Sequence, residues 1–261
     1  MTRRARSLVF LAGGAGVACL LVFAFIRMPS FGSTFHPYRD LAIRAAVAHA
    51  TANVVASVNF DQRGLDTFVE ESILLASVLA VATLLRPQEG ETERRPLAGG
   101  RVLDATVLIG LVVLGVTLVV GLDVIAHGHL TPGGGFQGGV VVGTGIHLLY
   151  VAGTYRMLER VRPVRPFEWL EATGAGAFAC IGIAGVLAGT GFLEEILPAG
   201  PFGTLFSAGT VPLLNGAVGV EVASGVVVLL SSFLRQAVVI RGEGGDRKKS
   251  GGRGAGAGGS P

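Results

Sequence analysis

Residues 123–155 read DVIAHGHLTPGGGFQGGVVVGTGIHLLYVAGTY. Two histidines, His127 and His129, flank one glycine. Pro132 follows, then five glycines in seven residues (Gly133, Gly134, Gly135, Gly138, Gly139), broken only by Phe136 and Gln137. The chain then enters an apolar segment. Pro132 can end irregular backbone just ahead of a helix, and the glycines allow φ > 0 and close approach of another helix. Phe136 is the one bulky group on a bare stretch, available as a wedge or gate. Non-helical backbone of this kind is tolerated at membrane depth only when it is buried in protein or lines a cavity. The rest of the chain reads as packing and topology around such joints.

The composition around the joint sets the class. Of 261 residues, 50% are hydrophobic and 15% charged, and the mean hydropathy is +0.62. About 20 consecutive apolar residues cover the hydrocarbon core as a helix, and several runs here reach that length. The 41 glycines suit the same class, since glycine lets membrane helices approach closely. The reading is all-α, a polytopic membrane protein. The net charge of +3 is modest, and the basic residues sit in short loops beside apolar segments, which argues against a nucleic-acid partner. Cys19 and Cys180 both lie inside apolar runs and read as small buried hydrophobes, not as a disulfide or metal site. MTRRARS followed by a long apolar run reads as a retained first span: the run is long for a signal peptide, and no clear cleavage site follows.

In chain order, span one runs from Leu8 to Ile26. Residues 41–60 place Arg44, His49, Asn53 and Ser57 along one face, the pattern of one peripheral amphipathic helix. The further spans are expected at Thr67–Leu85, Leu103–Val124, Gly134–Val151, Trp169–Gly191 and Leu213–Leu234. That makes about six transmembrane helices. With six spans, 17 of the 21 Lys and Arg share one side with both termini, leaving Arg27, Arg39, Arg44 and Arg63 opposite. The positive-inside rule makes that side, and both termini, cytoplasmic. The expected modules are a membrane module over 1–90, a linker over 91–101, a four-helix membrane domain over 102–240, and a disordered basic tail over 241–261.

Ionisable groups within such spans usually face protein or water and often mark ion paths. Four sets stand out. Asp61, Arg63, Asp66, Glu70 and Glu71 lie at the mouth of the second span, where Asp66 and Glu70 share a face that Ile73 and Ser77 continue. A capped helix start explains carboxylates there equally well. Asp123, His127 and His129 lie just outside the third span; the two histidines at i, i+2 could bind a metal, though no third ligand is near in sequence, and interfacial hydrogen bonding and proton handling are the other readings. His147 lies inside the fourth span, either as a core histidine bonded to a neighbouring helix or as a functional group. Asn215 and Glu221 lie in the last span, with Glu221 about two turns in. Glu168, Glu171, Glu194 and Glu195 lie near span ends and read as solvated. The G-x-G-x-x-G of Gly133, Gly135 and Gly138 has no preceding strand, so a dinucleotide site is discarded. No nucleophile–base set or metal cluster is readable, and no catalytic residue, metal or cofactor is expected.

HGHLTPGGGFQGG (127–139) and GTLFSAGTVPLLNGAVGVEVASG (203–225) resemble the MnhB/MrpB subunit of Mrp-type multisubunit Na⁺/H⁺ antiporters, over residues 100–240. TANVVASVNFDQRGLDTFVEESILLASVLAVATLLR (51–86) resembles the C-terminal end of the large MrpA subunit, related to the MbhE module of membrane-bound hydrogenases. Asn53, Val54, Val55, Asp61, Arg63, Gly64, Asp66, Thr67 and Glu70 match that signature, whereas Gln62 and Leu65 replace two aromatics. The resemblance implies a multi-pass subunit of a cell (plasma or inner) membrane complex that exchanges Na⁺, or another monovalent cation, for H⁺. Its implied partners are the lipid bilayer and antiporter subunits of the A, C, D, E, F and G types. Asp61, Asp66, Glu70, His127, His129, His147 and Glu221 are then the ion-path candidates, and Pro132–Gly139 with Asn215 the structural motif. The alternative is a scaffolding subunit of a related hydrogenase or respiratory complex, without ion contact.

Overall fold

A computed structural model describes residues 3–28, 32, 34, 36–86, 103–152 and 164–234. The expected linker over 91–101, the tail over 241–261 and most of the arginines used to assign sidedness lie outside the described residues. Among the described residues every regular element is helical: α1 (Arg3–Ile26), α2 (Pro37–Ala48), α3 (Val54–Ser57), a π-helical turn (Val58–Gln62), α4 (Gly64–Leu84), α5 (Asp104–Ala126), α6 (Gly135–Ala152), α7 (Val164–Leu187) and α8 (Val211–Leu234). Five of these, α1, α4, α5, α7 and α8, are long and apolar enough to cross a membrane. The sixth expected span is the shorter α6, apolar over Gly135–Leu149. Residues 1–41 and 42–261 form two separate compact units. In the first unit, α1 is apolar all round and none of its span is buried, as expected of a lipid-facing helix.

The second unit is built around α8. Its span is 61% buried, against at most 28% for the other long apolar helices. α8 packs against α6, α7, α4 and α5, and α5 and α6 form a hairpin through the glycine-rich joint. Small residues make these approaches possible. Gly135, Gly139 and Gly143 face α8 one turn apart; a Cβ on Gly139 would lie 2.8 Å from Val222 Cβ and 2.9 Å from the Gly219 carbonyl oxygen. On the other side of α6, a Cβ on Gly138 would meet the Gly121 carbonyl oxygen of α5 at 2.6 Å. The glycines at 135, 138 and 139 thus let α6 pack tightly between two neighbours.

Aromatic packing ties α4 and the π-helical turn to this bundle. Phe60 and Phe68 lie 6.3 Å and 6.0 Å from the ring of Phe178 on α7, and Phe68 meets Phe192 edge-on at 5.4 Å. Phe60, Phe68 and Phe178 join a core with Leu193, Ala208, Val211, Leu214, Val218 and Val222. Pro166 and Pro212 sit in the first turns of α7 and α8, where a missing N–H costs nothing. α7 starts before the expected Trp169 and ends at Leu187, because residues 188–210 form a chain of turns that folds back on the bundle. Leu193 and Ala208 hold φ of 63° and 68° there, an uncommon region for non-glycine residues that their burial in the core maintains.

The stretch 41–60, expected as one amphipathic helix, is broken in two. α2 ends at Ala48, Ala50 turns the chain at φ 53°, and a new helix starts after Asn53. The cause is local: the Asn53 side chain accepts hydrogen bonds from the Val55 and Ala56 N–H groups at 3.1 and 3.4 Å. An asparagine that caps a helix start interrupts the helix arriving from its N-terminal side.

Candidate functional site

The site begins where the two sequence motifs meet. Asn53 Nδ2 donates to the Gly128 carbonyl at 2.7 Å and to the Thr131 carbonyl at 2.9 Å, and the Asn53 N–H donates to the His129 carbonyl at 2.9 Å. One asparagine therefore both caps α3 and pins the His-Gly-His turn. Beyond that turn, Gly133 and Gly134 take φ of 148° and 144°, and α6 starts at Gly135. The first N–H groups of a helix lack internal acceptors. Here the fully buried Asn215 of α8 supplies one, its Oδ1 accepting from the Gly135 N–H at 2.8 Å.

Between this joint, the α3–α4 region and α8 lies a cavity of about 450 Å³. Its walls are Val55, Ala56, Asn59, Phe60, Thr67, Glu70, Glu71, Gly133, Gly134, Gly135, Phe136, Gln137, Val140, Asn215 and Val218. Non-helical backbone thus lines a cavity here. Glu70 and Glu71 play different parts because successive residues of a helix point about 100° apart. Gly64, Thr67, Glu71 and Val78 form the buried face of α4, whereas Asp66, Glu70, Ile73 and Ser77 lie on its more open side. Glu70 is on the cavity rim, and Glu71, 2% exposed, is in its wall.

Glu71 does not stand alone. Glu221 of α8 is 0% exposed and Glu171 of α7 is 2% exposed. The carboxyls of Glu71 and Glu221 lie side by side without an aligned hydrogen bond, and Glu171 is close enough to feel the charge of Glu221. None of the four Glu71 and Glu221 oxygens has a hydrogen-bond donor among the described residues. A charge in mid-membrane costs about 2.5–3.5 kcal/mol on insertion scales, and facing carboxylates repel each other as well. Three acids on three helices therefore need protons, a cation or water among them. The described residues hold no group of three or more His, Cys, Asp or Glu with metal-binding geometry.

The remaining expected residues scatter around this centre. Asp61 lies off the cavity: His49 Nδ1 is 2.7 Å from its Oδ2, and Ser57 Oγ donates to the same oxygen at 3.2 Å. Asp66 is exposed and pairs with Arg63 at the start of α4. His127 closes the end of α5, its Nδ1 2.9 Å from Asp123 Oδ1. His129 is fully buried, and burial pushes its imidazole below the usual histidine range, against the pull of the Thr204 and Leu205 backbone. His147 bonds back along its own helix, Nδ1 to the Gly143 carbonyl at 2.8 Å. Pro132 is exposed at the joint, and Gly138 and Gly139 serve helix packing. The geometry brings together Glu70, Phe136, Gln137 and Asn215, with Glu221 behind them. Asp61, Asp66, His127, His129 and His147 stand apart.

A profile described as the domain related to the MnhB subunit of Na⁺/H⁺ antiporter matches residues 102–228, which hold the joint, Asn215 and Glu221. An uncharacterized protein of Methanocaldococcus jannaschii is 30% identical over 204 residues, 67% of this chain and 74% of that protein. The chain belongs to the MnhB family. This MnhB-type chain is also 26% identical over 204 residues to the probable K⁺/H⁺ antiporter A/B subunit of Rhizobium meliloti, covering 67% of itself and only 20% of that longer protein. Among solved structures it is similar to a chain of the archaeal membrane-bound sulfane sulfur reductase, a respiratory membrane complex. There the TM-score is 0.70 at 25% identity, over 89% of this chain and 100% of that one. The Mrp complex from Dietzia sp. DQ12-45-1b shares the fold, with a TM-score of 0.65 at 22% identity over 89% of this chain and 26% of that chain. The MnhB-type chain is a multi-pass membrane protein.

Two of the buried or half-buried acids of this MnhB-type chain escape a reading of its sequence. Glu171 and Glu195 correct the expectation that acids near span ends are solvated. Glu171 is buried because α7 begins at Val164, which carries position 171 into the bundle. Glu195 is half-buried, and its Oε2 accepts the Thr210 N–H at 2.9 Å. Burial raises the Glu195 carboxyl above its ordinary range, while the Thr210 bond opposes that shift. The signal that separates Glu71 from Glu70 is the spacing of Gly64 and Thr67: small residues mark the face on which membrane helices pack.

Proposed function

We propose that this chain supplies a section of the ion path in a cation/proton antiporter-type membrane complex. The observation that carries the proposal is the Glu71–Glu221 pair, two fully buried carboxyls from different helices, set behind a cavity lined by the glycine-rich joint. In this reading the cavity admits a hydrated monovalent cation or a proton carrier past Gln137 and Asn215. The paired acids take up one positive charge at a time, because a single proton or cation relieves their mutual repulsion. Glu171 stands next in line on α7. The chain works as part of a transporter, not as an enzyme, with Na⁺ and H⁺ as the exchanged ions and further antiporter subunits as partners.

The test uses Glu71→Gln and Glu221→Gln in the assembled complex. Cation-driven dequenching of a pH probe is measured in vesicles and normalised to complex content. The expected result is a loss of exchange of tenfold or more per complex with normal recovery. Full exchange per complex refutes the ion-path role.

A second reading is supported by one observation. The sulfane sulfur reductase chain is matched over 100% of its length, so its counterpart extends well beyond the MnhB-type domain. The chain is then a scaffolding subunit of a respiratory complex. The same substitutions would lower complex recovery and leave turnover per complex unchanged.

A further inference from the structure

Glu70 poses a problem that the buried pair does not solve. α4 spans Gly64–Leu84, 21 residues, a length of about 31 Å at 1.5 Å per residue, which just covers the hydrocarbon core. Glu70 is one and a half turns or more inside that span, and it is exposed. Its side chain makes no ion pair or hydrogen bond among the described residues, and the side chain beside it is another acid, Glu71. Among the described residues the basic side chain nearest to Glu70 in sequence, Arg63, pairs with Asp66 instead.

The surface around Glu70 suits a protein neighbour better than lipid. Asp66, Glu70, Ile73 and Ser77 recur at i, i+4, i+7 and i+11 and share one stripe. Ser77 turns its hydroxyl back to the Ile73 carbonyl at 2.7 Å, leaving a small, flat position beside Ile73, which is 61% exposed. Small and polar residues on one helix face are the usual contact surface between membrane helices. The cavity is also open on this flank, because Glu70 belongs both to its rim and to the stripe.

We propose that this stripe of α4 is the docking face for a membrane helix of another subunit, one that presents a lysine or arginine opposite Glu70 and closes the open flank of the cavity. The occupant follows from charge: an exposed carboxylate at this depth, with no cation paired to it among the described residues, is satisfied by a basic side chain on the helix that covers it. The proposal needs membership in a multisubunit complex but not the ion-path role of Glu71 and Glu221.

The test places a photoactivatable benzoylphenylalanine at Ile73 or Ser77 in the assembled complex in its native membrane, followed by mass spectrometry of the adduct. The expected adduct is an apolar peptide of another subunit of the same complex, with a Lys or Arg within two helical turns of the attachment point. Glu70→Lys should lower the adduct yield, normalised to recovered complex, by tenfold or more, and the isosteric Glu70→Gln by several-fold. Where the lysine variant is not recovered, the glutamine variant decides. Adducts to lipid alone, a partner peptide without a basic residue, or a yield unchanged by both substitutions overturns the proposal. Glu71→Gln separates the two readings, since it should abolish exchange and leave the adduct intact. Lost exchange with full adduct yield in Glu70→Gln overturns the docking role as well and places Glu70 in the ion path.

Discussion

Asn215 offers the sharpest test of how the joint is built. Its Oδ1 is 2.8 Å from the Gly135 N–H, and the side chain is 0% exposed. Removing the acceptor orphans a buried donor at a helix start, at a cost of about 1–3 kcal/mol. Where in that range each variant falls depends on water. Asn215 lines the cavity, so Asn215→Ala extends the open space up to the N–H and lets water replace the lost bond. That variant should cost about 1 kcal/mol. Asn215→Leu keeps the space filled and the water out, so it should fall near the upper end, about 3 kcal/mol. The Oδ1 position is also tight: it would be 2.9 Å from a Cβ on either Gly128 or Gly134, so a branched side chain gains no compensating room. Unfolding midpoints of the purified protein in mixed micelles, with a common slope, give the difference. The predicted order is wild type, then alanine, then leucine, the reverse of what burying an apolar group in a membrane protein would give. A leucine variant as stable as wild type would refute the capping role.

Three further outcomes follow from the same geometry. Gly139→Leu drives a side chain into Val222 and the Gly219 carbonyl; it should cost about 1–3 kcal/mol or more and separate α6 from α8, read as a cysteine cross-link between these helices that no longer forms. Asn53→Ala loses the α3 cap and the bonds to Gly128 and Thr131; a lost cap alone costs about 0.5–2 kcal/mol, and proteolysis near residues 49–53 should speed up accordingly. Glu195 supplies a pH dependence. Its folded-state carboxyl titrates above its ordinary range because burial disfavours the anion. The stability it contributes is full at pH below the ordinary carboxylate range and is lost as pH rises through the raised folded value. Amide exchange at Thr210 should therefore quicken with rising pH beyond the intrinsic rate, and Glu195→Gln, which keeps an acceptor for that N–H, should remove the excess.

Much of this molecule is legible in its sequence, and the rest fails for identifiable reasons. Apolar runs fix α1, α4, α5 and α8 to within a few residues, because length and hydropathy alone decide whether a helix can lie in lipid. The joint is equally readable: glycines with no side chain to pack imply that another helix comes close, and α8 does. The stretch 41–60 misleads because helical spacing persists across Asn53, whose side chain prefers to cap the next helix. The acids mislead for a different reason. Hydropathy assigns depth but not direction, so only the spacing of the small residues Gly64 and Thr67, a weaker signal than an apolar run, sets Glu71 apart from Glu70. Glu171 is invisible in the same way, since its burial depends on where α7 starts and on the glycine at 225, whose absent Cβ leaves 3.2 Å to its Oε1.

The central claim is that Glu71 and Glu221 work as one charge-holding unit behind the cavity. The most direct measurement is cation-driven proton exchange per assembled complex in Glu71→Gln, Glu221→Gln and the double variant. Groups that act together are strongly non-additive when removed. The account predicts that each single variant loses tenfold or more and that the double variant loses no more than the worse single one. Losses that multiply in the double variant, or single variants that exchange at the wild-type rate, would contradict it.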